Sequence, residues 1–167
     1  MPAITTLVQD FLAQKRIAVA GVSRKRQDAA TAIYRKLRGA GYRVFAVNPN
    51  TSTFDGDPCY PDLKSIPEKV DGVIIVTRPA HTEEIVQQCI ETGVPRVWMH
   101  CSLGTTPKFA RETAAKITST SARAVQLCQE HDIAVIPGGC PMMFCEPVDF
   151  GHKCMRGLLR LTGSLAN

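Results

Sequence analysis

Apolar residues recur along this chain with two different periods. Ile4, Leu7, Val8, Phe11 and Leu12 follow the three-to-four spacing of one helix face. Ile17–Ala20 (IAVA) is a short unbroken apolar run and reads as a strand. From Asp28 to Ala40 the helical period returns, with Ala30, Ile33, Tyr34 and Leu37 on one face, Asp28 as N-cap, and Gly39 and Gly41 as the stop. Val44–Val47 (VFAV) is the next strand. A loop rich in Pro, Gly and Asp follows, NPNTSTFDGDPCYPDL, with a short turn at Asp62–Ile66.

The alternation continues. Gly72–Val76 (GVIIV) is a strand that is apolar throughout, as expected where both faces of a sheet are covered. A helix over Ala80–Thr92 buries Ile85, Val86, Cys89 and Ile90 and ends at Gly93. Val94–Met99 is the fourth strand. The stretch from Cys101 to Glu130 holds a loop and at least one helix, carrying Val125, Leu127 and Cys128. Ile133–Ile136 is the fifth strand, and Gly151–Leu161 is a helix with Met155, Leu158 and Leu159 as its apolar side. Strands alternating with helices imply right-handed crossovers. The expected fold is α/β: one doubly wound, Rossmann-like parallel sheet of about five strands, helices on both faces, forming a single domain over residues 1–167.

Composition narrows the classes. The 167 residues are 44% hydrophobic and 21% charged, ordinary for a globular domain. No apolar run approaches the roughly 20 residues that span a bilayer. The N-terminal stretch carries Asp10 and no basic region ahead of its apolar part, so it reads as a helix and not as an export signal. Cysteines stand at 59, 89, 101, 128, 140, 145 and 154, an odd number that suits reduced thiols in a cytoplasmic protein. The net charge of +5 fits an anionic small ligand. A nucleic-acid partner calls for a basic stripe with interleaved aromatics, which the chain lacks, and nothing in it points to a membrane.

Doubly wound sheets bind ligands at the carboxyl ends of their strands, so the residues after each strand carry the candidate chemistry. After the first come Gly21, Val22, Ser23, Arg24, Lys25 and Arg26. A dinucleotide fingerprint has three spaced glycines; only Gly21 is present. The later positions offer a hydroxyl and three cations just before a helix N-terminus, an arrangement suited to phosphate. After the second strand come Asn48 and Pro49. NAD sites place a carboxylate near this point; neutral Asn48 instead tolerates a phosphorylated ribose, as in NADP or coenzyme A, without separating the two. After the third come Thr77, Arg78 and Pro79, and Arg78 is suited to a phosphate. His81 reads as a surface or capping residue.

Four segments together resemble the small CoA-binding domain family, stand-alone relatives of the CoA-binding domain of the succinyl-CoA synthetase alpha subunit: AVAGVSR, YRVFAVNP, YPDLKSIPEKVDGVIIVTRP and GVPRVWMH. The resemblance runs from Lys15 to Gly104 and resumes at DIAVIPGGCPM. It implies that coenzyme A or an acyl-CoA is the ligand, and that the chain is a binding or regulatory module with no reaction of its own. It further implies that Gly21, Val22 and Ser23 face the CoA pyrophosphate, that Arg24 and Lys25 flank its phosphates, and that Asn48 and Pro49 lie by the adenosine. Thr77, Arg78 and Pro79 would line the next part of the groove. In the synthetase a phosphorylated histidine of a separate domain performs the chemistry, and this chain is too short to include that domain. The alternative is an NADP-dependent oxidoreductase, although no proton donor stands out for one. A homo-oligomer or a protein partner remains open.

Two regions depart from the family pattern. Thr105–Ser121 is longer than expected, and the end PGGCPMMFCEPVDFGHKC is rich in cysteine. The spacing of Cys140, Cys145, His152 and Cys154 is not that of paired zinc ligands, so no metal is expected. Cys140, just after Gly138–Gly139 at the ligand end, reads as a buried inert thiol, with a mixed disulfide to CoA as the alternative.

Overall fold

The computed structural model describes residues 3–23, 28–102 and 118–161. In chain order the elements are α1 (Ile4–Leu12), β1 (Arg16–Ala20), α2 (Ala29–Gly39), β2 (Arg43–Val47), β3 (Thr53–Phe54), β4 (Asp57–Tyr60), β5 (Gly72–Ile75), α3 (Pro79–Thr92), β6 (Arg96–Met99), α4 (Ala122–Glu130), β7 (Ala134–Pro137) and α5 (Phe150–Leu161), with one 3-10 turn at Pro141–Met143 between the last two. Among the described residues the strands form one sheet in the order β3-β4-β2-β1-β5-β6-β7. Every pairing is parallel except β3 with β4. The fold is α/β and Rossmann-like, as expected.

Period-2 alternation sorts each central strand onto two covered faces. Ile17, Val19, Ala46, Ile74, Trp98 and Ile136 point to one face, where Val8 and Phe11 of α1, four residues of α2 and the segment around Met143 cover them. Ala18, Ala20, Val73, Ile75, Val97 and Met99 point to the other, beneath Val86 and Cys89 of α3, Ala124 and Cys128 of α4, and Leu63, Ile66 and Val70. The layers are helix, sheet, helix.

The sheet has seven strands and not about five, because the segment read as a loop after β2 contains a hairpin. Asp55 (φ 53°) and Gly56 (φ 88°) both adopt positive φ, and Phe54 pairs with Asp57 across them. This is the two-residue Asp-Gly connection whose twist matches that of antiparallel strands. The hairpin is fastened to α2. Phe54 is buried and meets the Tyr34 ring edge-on at 5.0 Å. The Tyr34 hydroxyl donates to Asp57 Oδ2 at 2.7 Å, and Arg38 reaches both Asp55 and Asp57.

Tyr34 and then Arg38 hold the Asp57 carboxyl below its usual range, while burial and Asp57 push the Tyr34 hydroxyl upward. A lowered folded pKa stabilises above the unfolded value, near 3.9. That contribution disappears as pH falls through the lowered folded value. Tyr34→Phe is therefore expected to cost about 1–2 kcal/mol at neutral pH. Urea unfolding at pH 7 and near pH 3 checks this. The gap between wild type and variant should narrow in acid.

The C-terminal helix forms as expected, but only part of its apolar side meets the core. Leu159 packs on the core, but Met155 and Leu158 face outward. Among the described residues no helix is long and apolar enough to cross a membrane.

Candidate functional site at the strand tips

The register of the parallel strands lines up their carboxyl ends. Val47, Ala20, Ile75, Met99 and Pro137 are mutual partners. The next residue of each strand continues the ladder. Asn48 N–H donates to the Tyr60 carbonyl at 2.9 Å, Gly21 to Val47 at 3.1 Å, Val76 to Ala20 at 2.9 Å, His100 to Ile75 at 2.9 Å and Gly138 to Met99 at 2.9 Å. One row thus crosses the sheet in the order Asn48, Gly21, Val76, His100, Gly138. The chain goes to opposite sides of the sheet from its centre, to α2 after β1 and to α3 after β5. That is the switch point of a doubly wound fold, between β1 and β5.

Gly21 occupies the middle of this row for a steric reason. Its φ is +104°, and a Cβ there would lie 2.4 Å from the Val76 carbonyl oxygen. The backbone of two strand tips meets here with no room for a side chain. Val22 contributes backbone only, because its side chain is wholly buried. Its carbonyl accepts from Asn48 Nδ2. Asn48 Oδ1 in turn accepts from Asn50 N–H at 2.8 Å. Asn48 thus ties the β1 loop to the β2 loop and shapes both, while Pro49 beside it is exposed. Ser23 is half-buried, and its carbonyl accepts from the Thr31 hydroxyl at 3.5 Å. Asp28 caps α2 by accepting from Thr31 N–H at 3.2 Å, as expected. Arg24 and Lys25 lie outside the described residues.

On the other side of Val76, Thr77, Arg78 and Pro79 lead into α3. Pro79 is its first residue and Arg78 its N-cap residue, capping with backbone only. The Arg78 side chain is exposed, and no described carboxylate forms an ion pair with it. Thr77 Oγ1 lies 3.4 Å from Thr82 Oγ1, and Thr82, fully buried, donates to the Ser119 carbonyl at 2.7 Å. His81 is exposed, 3.6 Å from Glu84, as a surface residue.

Sequence reasoning missed His100. It is the residue immediately after the fourth predicted strand, so the rule that picked out Asn48 and Thr77 would have found it. It is buried, and burial lowers its pKa to about 4, so the imidazole is neutral at physiological pH. Cys140 is also buried, its thiol pushed up to about 11. A thiol in that state is a poor nucleophile, which speaks against the mixed-disulfide alternative. Among the described residues no group of three or more His, Cys, Asp or Glu side chains is placed to hold a metal ion.

The fold and this row are those of a doubly wound domain, a class in which ligands bind at the carboxyl ends of the strands. A family model described as a CoA binding domain matches residues 15–146. The chain belongs to that family. The ADP-forming acetate–CoA ligase I of Archaeoglobus fulgidus is 37% identical over 75 residues, 45% of this chain and 11% of the ligase. The uncharacterized protein YneT of Bacillus subtilis is 29% identical over 84 residues, 50% of this chain and 62% of that protein. This chain thus spans a small part of the ligase and under two thirds of YneT. The solved structure of a hypothetical protein from Pyrococcus horikoshii aligns with a TM-score of 0.70 at 26% identity, covering 88% of this chain and 92% of that one.

Proposed function

We propose that this chain binds coenzyme A or an acyl-CoA across the row from Asn48 to His100, as a cytoplasmic binding or regulatory module with no reaction of its own. The observation that carries the reading is the match of residues 15–146 to the CoA binding domain family, in a fold whose strand tips from Asn48 to His100 align in one row. The diphosphate would lie at the β1 loop before the α2 N-terminus, where Ser23, Arg24 and Lys25 of the sequence supply a hydroxyl and two cations. Neutral Asn48, beside Pro49, leaves room at the adenosine end for a phosphorylated ribose. The pantetheine arm would pass Thr77, Arg78 and Pro79. Seven free cysteines suit a reducing compartment. The ligase reaction belongs to the much longer relative and is not carried over.

Thermal melting with CoA, acetyl-CoA, NADP and NAD tests the reading, because a ligand of the native state raises the melting temperature by mass action. CoA should stabilise well above NAD. Arg78→Ala should weaken the CoA shift, and Arg24→Ala with Lys25→Ala should abolish it. Stabilisation by NADP and not by CoA would replace this reading with the oxidoreductase alternative.

A further inference from the structure

The outer side of α5 is apolar. Helix geometry of about 100° per residue puts Phe150, Cys154, Leu158 and Leu161 in one stripe, and the residues Gly151 and Met155 along its edge. Phe150 is 82% exposed, Leu158 61% and Leu161 87%. No residue of the helix is buried. The opposite side docks on the protein. Leu159 packs on the core, and Arg156 donates to the Met143 carbonyl at 2.9 Å with its guanidinium over the Phe144 ring. A surface helix normally turns its apolar side inward. A helix anchored by an arginine and presenting phenylalanine and leucine to water marks a contact surface.

We infer that this stripe is the contact of a symmetric homodimer, formed by α5 packing antiparallel against α5 of a second copy. The stripe is self-complementary under a two-fold axis near the helix middle. Phe150 of one copy then opposes Leu161 of the other, and Cys154 opposes Leu158. The charges agree. Asp149, just before the helix, keeps its side chain 57% exposed even while it binds His152. The reversed partner brings Arg160 to it, and the antiparallel helix dipoles favour the same arrangement. Gly151, which has no side chain, and the small Cys154 allow close approach. A lipid surface fits less well. Arg156 is committed inward, leaving Lys153 and Arg160 on one flank only, next to the acidic Asp149. A helix of 12 residues is about 18 Å long, so the contact sits at the small end of interface sizes and the dimer should dissociate in the micromolar range.

Sedimentation velocity over a micromolar concentration series tests this with the whole chain. The wild type should pass from monomer to dimer. Leu158→Glu should raise the dissociation constant by about tenfold or more while leaving the melting temperature of the monomer unchanged. Arg160→Glu should weaken the dimer by facing the partner's Asp149 with a like charge. A short bismaleimide should link two copies through Cys154, the exposed one of the seven cysteines, and Cys154→Ser should prevent it. A chain that is monomeric throughout, a dimer indifferent to both charge variants, or a monomer that instead sediments with anionic vesicles overturns the inference.

Discussion

Gly21→Ala should both destabilise the protein and remove its response to CoA. The added methyl would lie 2.4 Å from the Val76 carbonyl oxygen and 2.9 Å from its carbon. Those atoms are backbone of the neighbouring strand tip, so no rotamer relieves the contact. The φ of +104° is itself unfavourable for alanine. The loop must retreat, and with it the bonds from Gly21 to Val47 and from Val76 to Ala20. A cost of about 2–3 kcal/mol is expected, seen as a melting temperature lower by about 5–10 °C. On the proposed CoA reading, the thermal shift with CoA should vanish, because the β1 loop that would face the diphosphate has moved. A variant that melts like wild type and still responds to CoA would show that the loop does not depend on this close approach.

Trp98→Ala should cost more stability than any other single change considered. The indole is wholly buried on the α1 side of the sheet, on β6 beside the edge strand β7. It meets Phe11 edge-on at 5.5 Å and Phe144 at 5.9 Å. Its N–H donates to the carbonyls of Gly138 at 3.0 Å and Gly139 at 3.2 Å. It therefore joins α1, the sheet and the turn that leaves β7. Truncation should cost about 3–5 kcal/mol. Trp98→Phe keeps most of the packing and leaves the two carbonyls without that donor, at about 1–3 kcal/mol. Chemical denaturation of the pair separates packing from hydrogen bonding. Equal losses in the two variants would mean that the N–H, and not the ring, carries the effect.

Much of the fold was legible because its signals are local. The five central strands are continuous apolar runs, and α2 and α3 show both their period and their stops. The β3–β4 hairpin was overlooked although Asp55–Gly56 is a strong turn signal, because its flanking strands are short and one includes Pro58. α5 showed its period, but periodicity cannot tell an apolar side that faces the core from one that faces outward. Of the candidate site, the loop residues were predicted from strand ends, and the structure brings Gly21 and Asn48 into one row and Thr77 and Arg78 next to it. His100 escaped notice although it directly follows the fourth predicted strand, the position that singled out Asn48 and Thr77 in their strands.

By itself, the order of apolar and polar residues determined the layered α/β architecture, since continuous apolar strands alternating with amphipathic helices must be covered on both faces. It also marked the strand ends as the candidate ligand site and showed a single glycine in the β1 loop. Register was decided only in three dimensions. The ladder that puts Asn48, Gly21, Val76 and His100 side by side joins residues up to 79 apart in the chain, and no local pattern encodes which tips align. The same holds for the outward stripe of α5, because the side a helix buries depends on the surface against which it comes to rest.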